Sequence, residues 1–512
     1  MLRWVACVLS LLILGTAGAG YLYIQRLNDK IRTGDRSGGI SGVRKAEPDS
    51  AGKTPLNILL IGADGRNTEE NIALGGARDT AGDKPRGDVQ MLLHVSADRK
   101  NASVLSVPRD TRVDIPECRD STTGETFRAT DMIITESLTR GGPGCTLTTW
   151  EKLSGIYIDH WMMIDFAGVV KMADAIGGVK VCVKYPVHDK PTAMVKGGSG
   201  LRLPAGDSYV QGEQALQWLR TRHAFYNDQG RAKAQHMYLN SMLRQLKSQN
   251  AFTDSGRIMN LAEAGIEALQ VSDELGSVPA LFDLAMELKD VPVNRITMTT
   301  LPTAPDPRDA NHLVPVDSSA QRIWRMLRED VAFDKNGGPR DTGSGTAPGA
   351  GTSPSPAASA SGPAATAPGS LAVTVVNGTG GGGEGSVRGR AGQVARALRD
   401  QGFGRAAAAT DLAPAERTAL VYPAGTGAQG RADALSVAAA VGLPATAVRA
   451  SGEVTGLTVT VGADWREGDT YPKPPAKPKA GDLPEDAEVS NGADDTGCMD
   501  VYAPYRDTAP AR

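Results

Sequence analysis

Charged and amide side chains are concentrated in the stretch from Trp218 to Gln235. They are Arg220, Arg222, Asp228, Arg231 and Gln235. Guanidinium groups so close together repel one another unless an anion or acidic side chains lie among them. Because the planar fork of arginine matches two phosphate oxygens at once, this spacing favours a phosphate-binding site. A solvated, charged helix face is the alternative interpretation.

The spacing within this stretch also predicts where a helix ends. Arg220 and Arg222 are two residues apart, which places them on different sides of a helix but on one side of an extended segment. If both serve one site, the predicted helix Glu213–Leu219 must end where they begin. The later side chains follow i, i+3, i+7 and share one helix face. A local ion pair between Asp228 and Arg231 is the simpler interpretation of that set.

Two carboxylates, Asp64 and Asp88, lie beside the ends of predicted strands, and Arg109 follows another strand. Functional side chains are often carried at such positions by a rigid sheet. One or two carboxylates together with substrate phosphate oxygens commonly hold Mg²⁺. The sequence therefore offers a metal site, with pairing of the carboxylates to their neighbours Arg66 and Arg86 as the alternative.

Other chemistries have less support. The histidines form neither H-x-x-x-H nor a set with C-x-x-C, so the sequence does not predict a zinc site. His94 lies in an apolar strand and is interpreted as a core residue with its hydrogen bonds satisfied. The glycine-rich Asn377–Gly385 lacks the Lys-Ser/Thr of a phosphate-binding loop and indicates a flexible turn. A net charge of −3 gives no basic field for nucleic acid, so no nucleic-acid partner is predicted.

The elements that must position these residues alternate between strands and helices. Predicted strands are Leu56–Ile61, Val89–Val95, Ala102–Val107 and Val179–Val183, and predicted helices are Thr146–Leu153, Phe166–Ala175, Glu213–Leu219 and Arg231–Leu246. Helical patterns over Leu261–Leu288 and Ser318–Asp330 complete the series. This alternation predicts an α/β domain.

The N-terminal stretch Trp4–Ile24 carries no charged residue. It is long enough to span the ~30 Å hydrocarbon of a bilayer at ~1.5 Å per residue. We therefore expect a single-pass transmembrane helix with the N-terminus inside the cell. A signal peptide cleaved after Ala17-Gly18-Ala19 is the alternative. Both interpretations place the following domains outside the cytoplasm.

The cysteines fit an exported chain. Cys118 and Cys145 flank a Ser/Thr/Gly-rich excursion, and a disulfide closing it would add ~3 kcal/mol in the usual loop model. We predict that bond. Cys182 lies in an apolar, β-branched run and is interpreted as a buried small hydrophobe. The sequence leaves the pairing of Cys498 open.

Several motifs in order carry a resemblance to a known family. They are GADGR (Gly62–Arg66), RGDV (Arg86–Val89), SVPRDT (Ser106–Thr111), IDHWMMIDFAG (Ile158–Gly168), IGGVKVCV (Ile176–Val183), LPAG…GEQALQWLRTRH (Leu203–His223) and DQGRAKAQ (Asp228–Gln235). Together they strongly resemble the LytR-CpsA-Psr family. Residues 371–464, with VVNGTG and VTVGADW, look like the small C-terminal domain of many actinobacterial members.

The resemblance implies an enzyme. The family comprises membrane-anchored, extracytoplasmic transferases that move a wall glycopolymer from a polyprenyl-pyrophosphate carrier onto peptidoglycan through a phosphodiester. Its fold implies a three-layer α/β/α domain with a central mixed sheet, followed here by a small α/β domain of β-α-β-β-α-β order. The implied partners are the lipid-linked glycopolymer, the peptidoglycan acceptor and the membrane. A non-catalytic scaffold for lipid-linked glycan, or a pyrophosphatase acting on the same lipid, is the alternative.

The resemblance also implies roles for residues. Asp64 and Asp88 would hold Mg²⁺, or Mn²⁺ in its place. Arg109, Arg220 and Arg222, with Arg86 beside them, would bind the pyrophosphate, and Asp228, Arg231 and Gln235 would complete a polar wall. The polyprenyl chain would lie in an apolar tunnel lined by Met91–Val95, Trp161–Phe166 and Val169–Met172. The general base stays unassigned, because Asp64 and Asp88, the nearest carboxylates, make poor bases as metal ligands.

The sequence departs from the family pattern at two places. Gly87 stands where the family usually has serine, and Ile133–Leu138 replaces its usual Asn-Ala-Ala-Tyr segment. These departures put the approach to Asp88 and the acceptor side of the site in question.

The predicted organisation divides the chain into consecutive segments. They are residues 1–25 (cytoplasmic tip and anchor), 26–54 (juxtamembrane spacer), 55–336 (catalytic domain with a helical extension), 337–370 (linker), 371–466 (second domain) and 467–512 (tail). The linker contains no hydrophobic residue larger than alanine apart from proline, so it cannot offset its ordering entropy and is predicted to be disordered.

Overall fold

The structure is a computed structural model. It describes residues 2–49, 51–65, 68–75, 82–193, 195–248, 255–335, 363–381, 385–472, 477–493 and 497–507. Arg66 and most of the predicted linker lie outside these residues. The chain forms two compact units, one of Met1–Gly345 with Pro478–Arg512 and one of Thr346–Lys477.

The first unit contains α1–α9 and β1–β17. The helices are α1 Leu2–Asn28, α2 Glu69–Ala73, α3 Glu136–Ser154, α4 Phe166–Ile176, α5 Gly212–Arg220, α6 Asp228–Ser248, α7 Ser255–Ala268, α8 Val278–Lys289 and α9 Asp317–Arg328. The strands are β1 Arg32–Gly34, β2 Leu56–Ala63, β3 Gly87–Val95, β4 Ala102–Ser106, β5 Arg112–Ile115, β6 Cys118–Arg119, β7 Thr126–Phe127, β8 Thr130–Ile133, β9 His160–Ile164, β10 Val179–Val183, β11 Val187–His188, β12 Arg202–Leu203, β13 Gly206–Val210, β14 Leu269–Ser272, β15 Ile296–Thr300, β16 Thr303–Asp306 and β17 Asp309–Pro315.

A mixed sheet forms the centre of this unit. Its order is β1-β14-β9-β2-β3-β4-β15, with Val489–Asn491 at the β15 edge. The central strands β2, β3 and β4 pair antiparallel in sequence order, and β9 joins β2 in parallel. Because β2 and β3 are antiparallel neighbours, the end of one lies beside the start of the other.

Alternation along the strands buries both faces of the sheet. Leu59 and Leu92 belong to a core with Trp150 of α3 and Trp324 of α9. On the opposite face, Met91 packs in a core that α6 and α8 cover. Successive side chains of a strand point to opposite faces, so each strand serves both cores. The three-layer α/β/α fold that the resemblance implies is confirmed.

Five strands of the central sheet were not predicted: β1, β9, β14, β15 and Val489–Asn491. The Leu261–Leu288 pattern, interpreted as helical, contains strand β14 between α7 and α8. A short apolar run does not distinguish strand from helix by periodicity, and here pairing with β1 and β9 decides. The strands β9 and β15 were missed for the same reason, since each is only a few residues long. The predicted strand Val179–Val183 exists as β10 but pairs with β13, away from the central sheet.

The helix predicted over Trp4–Ile24 is present as α1. Its identification as a membrane span is not supported, because none of the helices in the described ranges is both long and apolar enough to cross a bilayer.

The second unit is a small α/β domain. Its elements are β18 Ala372–Asn377, α10 Arg390–Asp400, β19 Arg405–Leu412, β20 Ala419–Pro423, α11 Gly427–Ala440, β21 Val448–Ser451 and β22 Leu457–Val461. The sheet order is β19-β18-β22-β20-β21. The predicted β-α-β-β-α-β order is confirmed with one further strand, β21, which pairs in parallel with β20 at the sheet edge. The predicted turn Asn377–Gly385 falls partly outside the described residues.

The residues that follow the second unit return to the first, whereas composition predicts a tail there. Val489–Asn491 pairs antiparallel with β15, and Met499, Val501 and Tyr505 are buried in a core of the first unit. These apolar residues are scattered among acidic and proline residues, so the composition of the segment concealed them.

Two disulfides fix the first unit. The predicted bond Cys118–Cys145 is present, with a Cα–Cα distance of 5.6 Å. A second bond joins Cys182 of β10 to Cys498, with a Cα–Cα distance of 4.5 Å. Cys182, interpreted from its apolar run as a buried small hydrophobe with its pairing left open, is therefore a disulfide partner. Its partner lies 316 residues away, a distance at which the local pattern of β10 contains no information.

Candidate active site

A cavity of about 590 Å³ lies between one face of the central sheet and helices α4, α5 and α6. Its apolar body is lined mainly by Leu60, Met91, Met162, Ile164, Phe166, Val169, Met172, Leu216, Leu219, Tyr238, Leu239, Met242 and Leu269. Its polar mouth is lined by Asp64, Asp88, Arg109, Asp189, Ser199, Arg220, Arg222, His223, Arg231 and Gln235. One continuous space therefore combines a hydrocarbon-like interior with a strongly charged opening.

Strand alternation decides which predicted tunnel residues reach this cavity. From the predicted stretch Met91–Val95 only Met91 lines it. Met162 and Ile164 also line it, whereas Trp161 and Met163 belong to the opposite core. The predicted lining was therefore right in location but included residues that point away.

Asp64 and Asp88 lie side by side because β2 ends where β3 begins, with Gly62 paired to Val89. Asp64 is 8% exposed, and its Oδ1 accepts the backbone N–H of Arg86 at 2.8 Å. Asp88 Oδ1 accepts from Arg109 Nη1 at 3.3 Å.

Arg86 does not pair with either carboxylate through its side chain. Its Nε lies 3.2 Å from Glu136 Oε1, and the side chain is half exposed. The alternative in which each aspartate pairs with its neighbouring arginine side chain is therefore wrong for Arg86. The other neighbour, Arg66, lies outside the described residues.

The pair of carboxylates fits a divalent cation only together with ligands from another molecule. Within the described residues no group of three or more His, Cys, Asp or Glu side chains could hold a metal ion. Two oxygen donors at the mouth match a site in which substrate phosphate oxygens complete the coordination of Mg²⁺.

Asp228 lies at the centre of three guanidiniums. Its oxygens are 2.8 Å from Arg231 Nη2, 3.7 Å from Arg222 Nη1 and 3.9 Å from Arg109 Nε. The predicted Asp228–Arg231 ion pair is thus present, but it is part of a larger cluster. Arg109 also contacts Asp88 and Asp110, so these three cations lie among three carboxylates, which hold the guanidiniums close together.

The surroundings shift the arginine pKa values in different directions. Burial disfavours the charged form of Arg109, but Asp88, Asp110 and Asp228 outweigh it and raise its pKa. Burial lowers the pKa of Arg231, although Asp228 opposes that shift. Arg231 is therefore a charged group in a place that water does not stabilise well, where a phosphate oxygen would be favourable.

Arg220 and Arg222 both reach the mouth because α5 ends at Arg220 and Thr221 is extended, with φ −62° and ψ 119°. This is the helix end that the spacing predicted. Arg220 donates to the carbonyls of Leu74 at 2.8 Å and Gly75 at 3.0 Å. Its guanidinium also lies 4.6 Å from the centre of the Phe166 ring. Burial lowers its pKa, which Asp88 and Asp64 partly counteract.

Gln235 joins the two helices that form the mouth. Its Nε2 donates to the carbonyl of Leu219 at 3.1 Å, so it fixes α6 against the end of α5. Of the predicted site residues, all but Arg86 and Asp228 line this cavity, and Asp228 lines a small neighbouring pocket that shares Arg109, Arg231 and Gln235 with it.

A family model described as the LytR_cpsA_psr family matches residues 24–329. The chain belongs to the LytR-CpsA-Psr family. A second model, described as LytR cell envelope-related transcriptional attenuator, matches residues 370–465.

Relatives of this LytR-CpsA-Psr protein are known from other bacteria. Cell wall biosynthesis protein LcpA of Corynebacterium glutamicum is 27% identical over 324 residues, which is 59% of each chain. Polyisoprenyl-teichoic acid–peptidoglycan teichoic acid transferase TagV of Bacillus subtilis is 24% identical over 295 residues, 57% of this chain and 68% of that one. The match thus spans about three fifths of LcpA.

Among solved structures, a LytR-Csp2A-Psr enzyme from Actinomyces oris is 18% identical and covers 58% of this chain and 95% of its own. The TM-score is 0.42, too low to carry an argument.

The mouth of this LytR-CpsA-Psr protein contains residues that sequence reasoning missed. Asp189 and Ser199 come from residues 186–205, which the sequence predicts to be a loop, and His223 directly follows Arg222. The Ser199 N–H donates to Asp189 Oδ2 at 2.9 Å, and the Ser199 hydroxyl lies 2.7 Å from Thr221 Oγ1. The sequence Arg-Thr-Arg-His could have indicated His223, whereas Asp189 has no local signal.

Ile133–Leu138, the segment that departs from the family pattern, forms hydrogen bonds with residues that neighbour the site. Thr135 Oγ1 donates to the carbonyl of Arg109 at 3.2 Å, and the Gly87 N–H donates to the Thr135 carbonyl at 3.4 Å. Gln90 Nε2 donates to the carbonyls of Gly87 and Ile134. Ile133–Leu138 therefore holds the backbone of the residues beside Asp88.

The segment after the second unit braces two loops of the mouth. The Tyr502 N–H donates to the Ala224 carbonyl at 2.9 Å, next to His223. Arg506 forms an isolated bridge with Val187, two residues before Asp189. The Cys182–Cys498 disulfide fixes this C-terminal segment to β10.

Proposed function

We propose that this protein is an extracytoplasmic phosphotransferase. It moves a wall glycopolymer from a polyprenyl-pyrophosphate carrier onto peptidoglycan and forms a phosphodiester. The observation that carries the proposal is the single cavity whose apolar body opens at a mouth of arginines and paired carboxylates. A lipid diphosphate has the same two parts, a hydrocarbon chain and a doubly charged head.

The apolar body suits the hydrocarbon of the carrier. Its lining of leucine, isoleucine, methionine and phenylalanine gains free energy when it is covered by apolar groups, at about 25 cal/mol per Å². The names of the relatives agree with this substrate class, since TagV is named as a transferase that acts on a polyisoprenyl-linked polymer and peptidoglycan.

The mouth suits the diphosphate. Arg109, Arg222 and Arg231 surround one carboxylate, Asp228, which keeps them together without substrate. Phosphate oxygens can replace carboxylate oxygens as partners of this cluster, and each guanidinium can bind two of them. Phosphoryl transfer depends chiefly on such positioning and on neutralising the charge that develops on the phosphate oxygens.

Asp64 and Asp88 would hold Mg²⁺, or Mn²⁺, together with oxygens of the diphosphate. When bound, the ion would neutralise charge on the phosphate oxygens and orient them. Arg109 contacts Asp88 and so lies where it would share that task.

We further propose that the protein acts at the outer face of the cell membrane. The two disulfides support a location outside the cytoplasm, since such bonds persist in oxidising compartments.

The test uses the full chain with a polyprenyl-pyrophosphate glycan and peptidoglycan oligomers. We expect Mg²⁺-dependent release of polyprenyl phosphate together with glycan-linked peptidoglycan. Arg220→Ala should lower kcat/KM by roughly 10²–10³-fold, the usual loss when a group that stabilises transition-state charge is removed. Arg128→Ala is the matched control, because Arg128 is exposed and lies away from the cavity.

Other outcomes identify the alternatives. Tight binding of the lipid without any product would support a scaffold. Cleavage of the diphosphate without glycan on peptidoglycan would support a pyrophosphatase. Activity that survives removal of divalent cations by EDTA would contradict the role given to Asp64 and Asp88.

A further inference from the structure

The attacking hydroxyl of the acceptor must lose a proton, and the mouth contains few groups that could take it. Asp64 and Asp88 are assigned to the cation. The oxygens of Asp228 face three guanidiniums. Asp165, also at the cavity, caps α4 through the Gly168 N–H at 2.9 Å.

His223 is the one histidine among the described residues that line the cavity. Its Nε2 lies 3.1 Å from Arg222 Nη2. A guanidinium can only donate, so Nε2 is the acceptor and the neutral ring carries its proton on Nδ1. The lone pair of Nε2 therefore points at a group that belongs to the diphosphate site.

The charges around His223 keep it in the form that accepts a proton. Burial and Arg222 lower its pKa, Asp189 and Asp228 raise it, and Arg109 lowers it, with a net decrease. The ring is therefore neutral near pH 7, as a general base must be.

Asp189 lines the same cavity as His223 and supplies a negative charge that acts on this ring. It is 1% exposed, and its Oδ2 accepts the Ser199 N–H at 2.9 Å. Its other oxygen, Oδ1, is buried and has no hydrogen-bond partner among the described residues. A buried carboxylate oxygen without a donor is costly in a resting protein, and it becomes favourable when a cation forms nearby.

We propose that His223 is the general base of the transfer reaction and that Asp189 is the positioning residue that stabilises the protonated ring. This inference rests on the proposed function, since it assigns a role within that reaction. Binding of the diphosphate draws Arg222 toward phosphate oxygens, which frees His223 Nε2 for the acceptor hydroxyl. Substrate binding and exposure of the base are thereby linked.

The step balances as follows. His223 Nε2 takes the proton of the acceptor hydroxyl, whose oxygen forms a bond to the phosphorus that carries the glycopolymer. The bond from that phosphorus to the bridging oxygen breaks, and polyprenyl phosphate leaves with the electron pair. The proton then passes from His223 to the leaving phosphate or to water.

The experiment measures transfer by the full chain over a range of pH. In the wild type, kcat should fall as the pH drops below the ordinary histidine range, about 6.5. His223→Gln should lower kcat by roughly 10²–10⁴-fold, the usual contribution of general base catalysis. It should also abolish the fall at acid pH while binding of the lipid-linked glycan stays unchanged.

Asp189→Asn should lower kcat less, and it should move the acid fall to lower pH, because the imidazolium loses a stabilising charge. His160→Gln is the matched control. Burial also lowers the pKa of His160, but this residue lies outside the cavity, so the variant should keep the wild-type profile.

A second variant distinguishes loss of the base from a folding defect. His223→Ala with added imidazole should regain activity with the pH dependence of the free base, which a purely structural role of His223 would not allow. His223→Gln with wild-type kcat and an unchanged acid fall would overturn the inference. A wild type that gives no product under any condition would instead overturn the proposed function.

Discussion

Two arginines from different units show what burial does and does not indicate. In the second unit, Arg390 is 1% exposed, and its guanidinium donates to the carbonyls of Trp465, Glu467 and Gly468 and to Gln393. In the mouth of the first unit, the contacts of Arg222 are His223 and the more distant Asp228.

The difference lies in the partners rather than in the charge. The donors of Arg390 end on fixed backbone carbonyls, so this side chain holds the end of its unit together. The donors of Arg222 end on side chains that can move, so phosphate oxygens can replace them. For these two arginines the partners separate a residue of the site from a structural one, whereas Arg220 lines the cavity and also donates to two backbone carbonyls.

The largest expected effect is at Arg222, where removal of the side chain tests whether this arginine serves the site or the stability of the fold. Arg222→Ala should lower kcat/KM for transfer by about 10³-fold, because a donor aimed at developing charge is lost. The free energy of unfolding should change by less than about 1 kcal/mol, since no backbone carbonyl loses a partner. Transfer assays and denaturant unfolding measure the two quantities. A large loss of stability with normal transfer would show that Arg222 is structural.

A smaller effect on activity is expected from Gly230, which lies in the first turn of α6, the helix that carries Arg231. A Cβ at Gly230 would lie 1.8 Å from the carbonyl oxygen of Phe225. Gly230→Ala must therefore displace the loop after Arg222. A displacement of about 1 Å is enough to misplace catalytic groups, so we expect about 10²-fold lower kcat/KM.

Gly265→Ala is the matched control for this change. It is also helical, but nothing lies within 4 Å of its added Cβ, so it should leave transfer unchanged and slightly stabilise α7. Equal activity of the two variants would contradict the steric argument.

A further prediction tests whether Arg390 stabilises the second unit. Arg390→Met should destabilise that unit by about 2–3 kcal/mol, because backbone carbonyls lose buried donors. Amide hydrogen exchange on the intact chain would show reduced protection in its strands. Arg396→Met, at an exposed position of α10, should preserve protection. Unchanged exchange at Arg390→Met would mean that water satisfies these carbonyls.

The smallest expected effect concerns Gly87 beside Asp88. A Cβ there would lie 2.9 Å from Gln90 Nε2, and Gln90 is held by Trp150 Nε1 at 2.7 Å. Gly87→Ser, which restores the usual family residue, should therefore cost about 1 kcal/mol of stability and a few-fold in transfer. Thermal unfolding and a transfer assay would measure this. Higher stability or faster transfer than the wild type would show that Gln90 adapts.

Local signals in the sequence predicted the parts of the fold that depend on local physics. The end of α5 followed from the spacing of Arg220 and Arg222, and the buried, hydrogen-bonded state of His94 followed from its apolar strand. The structure confirms both, with His94 bonded to Asn57 at 2.7 Å and Asp330 at 3.0 Å.

Features that depend on partners far away in the chain could not be predicted from the sequence. Strand β14 exists because β1 and β9 flank it, and the bond of Cys182 to Cys498 joins segments far apart in the chain. Asp189 lies in a segment without periodicity, so neither its burial nor its position at the mouth could be anticipated. The roles of the site residues remain predictions for the experiments above.

The return of the chain after the second unit sets an order of events in biogenesis. The first unit is complete only once the residues beyond the second unit have been synthesised, because Val489–Asn491 and Cys498 belong to it. The Cys118–Cys145 bond can close early, whereas the bond to Cys182 must wait for 316 further residues. Domains usually fold as they emerge. Here, the segment that contacts the loops of the mouth is synthesised only after the second unit, so folding of the site depends on synthesis of the chain up to that segment.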